Sequence, residues 1–326
     1  MNDVQKGIGF AVLAYILWGF QPIYWKQLLE IDSYQLVLHR VVWSFPVLIL
    51  FLIATGQFRE WLSAAMKLST YKIYSVSALL LGANFFLSLW GVNSGRILQV
   101  SLGYFINPLF SVVLGVIFLK ERLPVGQWVA VGIAAVGVLI VTIGYGVFPW
   151  VSFSIAGAFG FYGLVQKRAP LSGLQGVSIE LMLLSIPCII ILIVLNERGN
   201  GAFGHSGPKL DWLMVGCGLA TILPQLSFAT SLKSIPLTIL GIAQFIGPSI
   251  QTLVGALIYG ENFSTTKAAG FGCVWVALVL FTYVGLRAKA ASKPVNSQDL
   301  PSVNSDQVAE PPTPGTTYHA AVDTKV

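Results

Sequence analysis

Two charged side chains, Arg40 and Glu180, lie inside long apolar runs of the sequence and are 140 residues apart. If these runs cross a membrane, each charge is costly, and such residues commonly mark substrate or proton pathways. Each could instead lie near a helix end and reach the lipid headgroups. We expect Arg40 and Glu180 to act in gating or coupling near opposite mouths of a pathway, without pairing with each other.

Nine further polar or aromatic residues fall within the apolar runs and are candidates for a substrate site. They are Tyr15, Trp18, Asn84, Trp90, Tyr104, Asn107, Tyr162, Gln225 and Gln244. Aromatic walls with a few amides suit a small organic solute, whereas an ion filter would need rings of carbonyls or carboxylates. The alternative is that these side chains only join neighbouring helices.

Part of this set belongs to an internal repeat. Five residues recur at an offset of 140: Phe105, Ile106, Pro108, Gly115 and Glu121 are matched by Phe245, Ile246, Pro248, Gly255 and Glu261. A proline within a helix removes a hydrogen bond and bends the helix, and in lipid the freed carbonyl must face protein or a cavity. We expect segments 104–108 and 244–248 to face each other at the middle of the membrane.

Glu121 and Glu261 end the two repeated segments. A carboxylate is unfavourable at a helix C-terminus, so an adjacent helix N-terminus or a cation should hold each one. Both a structural role in a tight turn and a role in gating are open for these residues.

The elements that must position these residues are membrane helices. Hydrophobic residues make up 55% of the 326 residues and charged residues 10%, against about 25% charged in soluble domains. Runs this long and apolar span a bilayer as helices, so the predicted fold is an all-α polytopic membrane protein. The ten candidate spans are 7–25, 34–54, 73–92, 97–119, 125–143, 150–165, 177–195, 212–230, 237–259 and 267–286.

Loop charges predict the orientation. Leaving out Lys325 at the far end of the tail, twelve cations fall on the side of the N-terminus, namely Lys6, Arg59, Lys67, Lys72, Lys120, Arg122, Lys167, Arg168, Lys233, Arg287, Lys289 and Lys293. Five fall on the other side, namely Lys26, Arg96, Arg198, Lys209 and Lys267. The positive-inside rule therefore predicts cytoplasmic termini.

The repeat predicts the domain organisation. Because each unit has five helices, an odd number, the second copy must be inverted, as in many transporters. We expect one repeat at 1–145, an inverted repeat at 146–287, and a disordered cytoplasmic tail at 288–326, where Ser, Pro, Asn and Thr dominate.

Several function classes are disfavoured. The net charge of +6 is spread between apolar runs, which does not indicate nucleic-acid binding. A GxGxxG string at 199–204 follows a membrane helix rather than a strand, so it fails the context of a dinucleotide site. The three cysteines form no CxxC pair, and neither a metal motif nor a P-loop occurs. We expect no metal and no cofactor.

Five strings together resemble a known family. They are YILWG at 15–19, LHRVVWS at 38–44, NFFLSLWGVN at 84–93, SLGYFINPL at 101–109 and FYGLV at 161–165. With the paired five-helix units, they resemble the EamA-type drug/metabolite transporter superfamily and, within it, the RarD group of permeases. The resemblance covers residues 7–286 and leaves out the Pro-rich tail.

The resemblance implies a bacterial inner-membrane permease that moves small organic compounds, in the outward direction, by secondary or facilitated transport with alternating access. Protons are a candidate coupling ion, and the oligomeric state is open. A membrane-embedded enzyme acting on lipid-like substrates is the alternative, although the single intramembrane histidine, His39, gives it a poor nucleophile or metal site. A non-transporting scaffold would not explain polar groups at matched depths.

Overall fold

The computed structural model describes residues 3–94, 96–144, 148–260 and 265–291. Its helices are α1 (Asp3–Trp25), α2 (Ser33–Ala54), α3 (Phe58–Ala65), α4 (Leu68–Asn93), α5 (Ile97–Leu119), α6 (Val125–Gly144), α7 (Trp150–Arg168), α8 (Gly173–Glu197), α9 (Pro208–Ser234), α10 (Leu237–Ala243), α11 (Ile246–Ile258) and α12 (Thr265–Ala291). A short 3₁₀ turn, Lys26–Leu28, follows α1. The all-α polytopic membrane class is confirmed.

The predicted count of ten spans is not confirmed. Within the described ranges, nine helical segments are long and apolar enough to cross a membrane, and α7 is not among them. The apolar part of α7 is short, because Gln166 and Lys167 fall in its last turn. The short helix α3, which lies in the connection between α2 and α4, was also not predicted.

The single helix predicted at 237–259 is divided into α10 and α11 at Gln244 and Phe245. Pro248 has no N–H, so it cannot bond the carbonyl of Gln244, which accepts instead from the N–H of Gly247 at 3.3 Å. Pro248 therefore lies in the first turn of α11, where proline is well tolerated, and its expected position in the middle of a helix is wrong. Pro108, by contrast, lies inside the continuous helix α5.

The helices pack in matched sets. Helix α1 packs against α9 and α11, while α7 packs against α4 and α5. Helix α2 packs against α8, and α5 packs against α10. Under the offset of 140 residues, α1 corresponds to α7, α4 to α9, α2 to α8, and α5 to α10 with α11. The repeat therefore maps the contacts of α1 with α9 and α11 onto those of α7 with α4 and α5, whereas α2 with α8 and α5 with α10 join elements that correspond to each other.

By its internal contacts the chain divides into two units, Met1–Leu286 and Arg287–Val326. All residues of the candidate site belong to the first unit. In the second, residues 287–291 form the end of α12, so this helix extends four residues into the segment predicted as a tail. The rest of the tail predicted at 288–326 lies outside the described residues.

Candidate functional site

Helices α5 and α10 meet at a polar seam formed by Asn107, Ser111 and Gln244, which we call the α5–α10 seam. The Asn107 Nδ2 donates to Gln244 Oε1 at 2.8 Å, and Gln244 Nε2 donates to Ser111 Oγ at 3.0 Å. Asn107 and Gln244 are each 5% exposed. The rings of Phe105 and Phe245 also meet, with centroids 6.0 Å apart. The two repeated segments therefore meet, as expected, and their position at the middle of the membrane stays a prediction.

Close backbone approach makes this seam possible. A Cβ placed on Gly241 would lie 2.8 Å from the carbonyl oxygen of Pro108, so only glycine allows α10 to lie this near to α5. Two buried atoms near the seam, Asn107 Oδ1 and the Tyr15 hydroxyl, have no hydrogen-bond partner in the described part of the chain. Tyr15 lies beside the side chain of Gln244. An unpaired buried polar atom costs about 1–3 kcal/mol.

Beside the seam, rings from α1, α7 and α9 form one aromatic cluster. Trp18 lies 5.5 Å from both Tyr15 and Phe228, measured between ring centroids. Tyr162 stacks on Phe228 at 6.2 Å, and Phe159 lies 5.3 Å from Phe228. Two predicted residues of the first half, Tyr15 and Trp18, therefore meet Tyr162 of the second half through Phe228.

Glu180 lies in a hydrogen-bonded cluster with Tyr162 and Gln225, which we call the Glu180 cluster. The Tyr162 hydroxyl donates to Glu180 Oε2 at 3.1 Å and accepts from Gln225 Nε2 at 2.7 Å. Glu180 and Tyr162 are fully buried, and Gln225 is 5% exposed. Ser77 and Gln166 lie beside the carboxyl group, but Glu180 Oε1 has no partner in hydrogen-bond geometry among the described residues.

Arg40 lies apart from Glu180, in a second polar region. Its Nε donates to Thr221 Oγ1 at 3.2 Å, and its guanidinium lies 4.6 Å from the ring centroid of Trp25. Within the described residues, the only ion pair joins Lys6 to Asp3, at 4.0 Å. The expectation that Arg40 and Glu180 do not pair therefore agrees with the structure.

Tyr104 belongs to the same region as Arg40, because it is close enough to interact with Arg40 electrostatically. Its hydroxyl shares a hydrogen bond of 2.8 Å with Ser88 Oγ. Of the surface of Tyr104, 38% is exposed.

Two predicted site residues are used elsewhere. Asn84 Nδ2 donates to the carbonyl of Ile155 at 3.2 Å and so joins α4 to α7. Trp90 packs against Trp150 at 5.4 Å, and the guanidinium of Arg96 lies 5.2 Å from its ring. The structure does not bring Asn84 or Trp90 into contact with the seam, and Asn84 matches the alternative of a side chain that joins helices.

Glu121 caps the N-terminus of α10. Its Oε1 accepts from the Leu237 N–H at 2.7 Å and its Oε2 from the Thr238 N–H at 2.8 Å. The expected adjacent N-terminus is therefore present, and it belongs to the other half of the chain. Glu261 lies outside the described residues.

Near Glu121, a lysine on α7 bonds to the end of α9 and a lysine on α9 bonds to the end of α7. We call this pair the lysine clamp. Lys167 Nζ on α7 donates to the carbonyls of Leu232 and Ile235 at 2.9 and 2.5 Å. Lys233 Nζ on α9 donates to the carbonyls of Gln166 and Ala169 at 2.6 and 2.5 Å. Each lysine thereby caps the C-terminus of the other helix, where cations are stabilising.

Sequence reasoning missed several residues of this arrangement. Phe228, at the centre of the aromatic cluster, lies three residues after Gln225, and Ser111 lies one helical turn after Asn107. That spacing places Phe228 and Ser111 on the same helix face as a predicted site residue, so it could have identified both of them. Lys167 and Lys233 were counted only as loop cations, and no local pattern marks them as mutual caps.

The matches to known proteins agree with this fold. The EamA-like transporter family model matches residues 5–143. A protein described as an uncharacterized transporter from Vibrio cholerae is 40% identical over 295 residues, covering 90% of this chain and 97% of its own. Protein RarD from Escherichia coli K12 is 35% identical over 283 residues, covering 86% and 95%.

This chain belongs to the EamA-like transporter family. The resemblance to the RarD group is also confirmed by the relatives. A solved crystal structure that is 14% identical superposes with a TM-score of 0.68, covering 87% of this chain and 99% of its own, and shares the fold. As a member of the family, the chain is a multi-pass membrane transporter.

Proposed function

We propose that this EamA-family protein exports small organic metabolites or drugs across the bacterial inner membrane by alternating access, as a secondary or facilitated transporter with both termini in the cytoplasm. Membership in a transporter family supports this proposal more than the alternative of a membrane-embedded enzyme. The sequence carries no P-loop, so neither ATP nor any other cofactor is part of the proposal.

The observation that carries the proposal is the α5–α10 seam. It joins two helices that the 140-residue repeat relates to each other, through the Asn107–Gln244 hydrogen bond. It lies beside the aromatic cluster. Asn107 Oδ1 and the Tyr15 hydroxyl are unpaired there. A small solute with aromatic or aliphatic surface and one or two polar groups would stack on Trp18 and Phe228 and satisfy these atoms.

The seam also fits a transporter that is built from two related halves, 1–145 and 146–287. The matched packing of α1 with α9 and of α7 with α4 supports this division. Lys120 and Gly260, which the offset of 140 relates, share a left-handed backbone conformation with φ of 55° and 63°. In inverted-repeat transporters the halves move against each other around a site at their interface, which is the position of the seam here.

Glu121 and the lysine clamp are the proposed gating groups. They lie at the end of the protein that the loop charges predict to be cytoplasmic. Both contacts pair a charged side chain with backbone groups at a helix end, and water can replace these partners when the helices separate. Arg40, near the accessible Tyr104, would bind an anionic group of the solute at the other side of the site. Glu261 is proposed as the counterpart of Glu121 only from its place in the repeat.

Glu180 is the proposed coupling group. It is fully buried, one of its oxygens is unpaired, and no ion pair reaches it within the described residues. Burying an unpaired carboxylate is expensive, so binding and release of a proton at Glu180 would strongly bias the packing of α7, α8 and α9 around it. This gives a physical route from a proton gradient to conformational change.

Flux measurements in proteoliposomes test the transport proposal. A panel of small organic solutes is screened with and without a pH gradient, using the full chain. We expect a flux that falls at least about tenfold in Asn107→Ala and in Gln244→Ala, because each removes a seam partner. Gln127→Ala, which removes a buried amide from α6 away from the seam, is the matched control. Wild-type flux in both seam variants would contradict the proposal.

A further inference from the structure

A groove of about 510 Å³ lies between α2, α8 and the loop that follows α8, away from the α5–α10 seam. Its apolar lining includes Val42, Leu192 and Ile193. Outside the groove, Ile186 and Ile190 of α8 are 56% and 57% exposed. An exposed row of isoleucines on a membrane helix faces lipid, so the groove opens towards the bilayer. Its volume falls within the range of about 300–1,000 Å³ typical of ligand sites.

Two residues that line the groove, His39 and Trp43, carry buried polar atoms that lack partners in the described part of the chain. His39 is 4% exposed, and neither of its ring nitrogens has a hydrogen-bond partner in the part of the chain that the structure describes. The same holds for the indole N–H of Trp43. Leaving such buried groups unpaired is unfavourable. The groove therefore contains donors and an acceptor that a bound molecule would satisfy.

The same wall presents aromatic faces and a carboxylate. The ring of Phe203 lies 5.7 Å from His39 and 5.5 Å from Trp43, measured between centroids. Glu197 lines the rim of the groove and makes no ion pair among residues 3–94, 96–144, 148–260 and 265–291. Tryptophan and phenylalanine faces attract cations, and a nearby carboxylate adds to that attraction. The chemistry that fits is an ammonium group.

The wall is also fixed in place before any ligand binds. Gln35 Nε2 donates to the carbonyl of Asn200 at 2.9 Å, and Gln35 Oε1 accepts from the Ala202 N–H at 2.8 Å. Further along the loop, the Gly204 N–H donates to Asp211 Oδ1 at 2.9 Å. These bonds tie the loop that carries Phe203 to α2 and α9. A preorganised wall lowers the entropic cost of binding.

We propose that this groove binds a membrane phospholipid with an ammonium headgroup. The ammonium lies against Trp43 and Phe203 and is neutralised by Glu197. The Trp43 N–H and His39 donate to phosphate or ester oxygens, and an acyl chain follows the apolar wall formed by α2 and α8. A lipid fits better than a water-soluble cation, because the groove opens on the face that the exposed isoleucines place in the bilayer.

Lipid binding to the full chain tests this site independently of transport. The delipidated protein is titrated in nanodiscs or by native mass spectrometry with phosphatidylethanolamine and with phosphatidylglycerol carrying the same acyl chains. Wild type should bind the ethanolamine lipid at least about fivefold more tightly. Trp43→Phe keeps an aromatic face but removes the N–H together with the five-membered ring, and Glu197→Gln removes only the rim charge. Each should reduce the preference by about threefold or more.

Trp128→Phe on α6 and Glu30→Gln, both at exposed positions outside the groove, are the matched controls and should keep the preference. Equal binding of the two lipids by wild type would overturn the proposal, as would an unchanged preference in both groove variants. Free ethanolamine that competes as well as the lipid would overturn the assignment to a lipid. Because solute flux is not measured, failure here leaves the transport proposal standing.

Discussion

Replacing Tyr162 by phenylalanine removes the one hydroxyl that joins Glu180 to Gln225. The ring and its stacking on Phe228 remain, so the change isolates two hydrogen bonds of 3.1 and 2.7 Å. Glu180 and Gln225 are both buried, so water cannot replace the lost hydrogen bonds. Each buried group that loses its partner costs about 1–3 kcal/mol. We therefore expect Tyr162→Phe to lower the free energy of unfolding by about 2–6 kcal/mol.

Reversible unfolding in mixed micelles measures this loss, with Gln225→Leu and the double variant completing a mutant cycle. Because Gln225→Leu removes the amide that Tyr162→Phe leaves unpaired, the double variant should be less destabilised than the sum of the single variants. Tyr71→Phe, which removes a half-buried hydroxyl bonded to the Ala65 carbonyl, should cost less than about 1.5 kcal/mol. A loss below 1 kcal/mol in Tyr162→Phe, or strict additivity in the cycle, would refute the reasoning.

Three further changes test other parts of the molecule. Glu180→Gln should abolish the response of solute flux to a pH gradient while solute exchange without a gradient continues, and a retained response would exclude Glu180 as the coupling group. The double variant Lys167→Met with Lys233→Met should speed thiol labelling of Ser231→Cys by about tenfold, equivalent to about 1.4 kcal/mol, because the clamp holds α7 to α9. Unchanged labelling would show that the lysine clamp has no role in gating. In thermal unfolding, Gly218→Ala should destabilise the protein by about 1–3 kcal/mol, since its new Cβ would overlap the Trp43 carbonyl. Gly132→Ala, at a position with open space around it, should be neutral or stabilising.

The membrane class could be predicted from sequence because the hydrophobic effect acts on each run locally. The position of the seam could also be predicted, because the constant offset between Pro108 and Pro248 fixes which turns of two distant helices are equivalent. From the repeat, segments 104–108 and 244–248 were expected to face each other, and Asn107 and Gln244 of these segments hydrogen-bond directly. An internal repeat thus carries three-dimensional information that composition does not.

Other features depend on contacts that no local pattern encodes. The break before Pro248 follows from how the Gln244 carbonyl finds a donor in the folded chain. Asn84 and Gln225 look alike in sequence, yet one bonds a backbone carbonyl and the other the Tyr162 hydroxyl. Likewise, nothing near Lys167 indicates that its ammonium would cap α9. Such roles are decided by tertiary partners that lie tens of residues away.

The central claim, that solute passes where α5 meets α10, is tested most directly by locking the seam. In a chain whose native Cys188, Cys217 and Cys273 are replaced by alanine, Asn107→Cys and Gln244→Cys are bridged by a short, reversible bifunctional thiosulfonate. The account predicts that bridging stops the solute flux that the untreated double variant retains in proteoliposomes and that a reductant restores it. The same treatment should leave the flux of either single variant, already lowered by the loss of a seam partner, unchanged. Undiminished flux through the bridged protein would contradict the account.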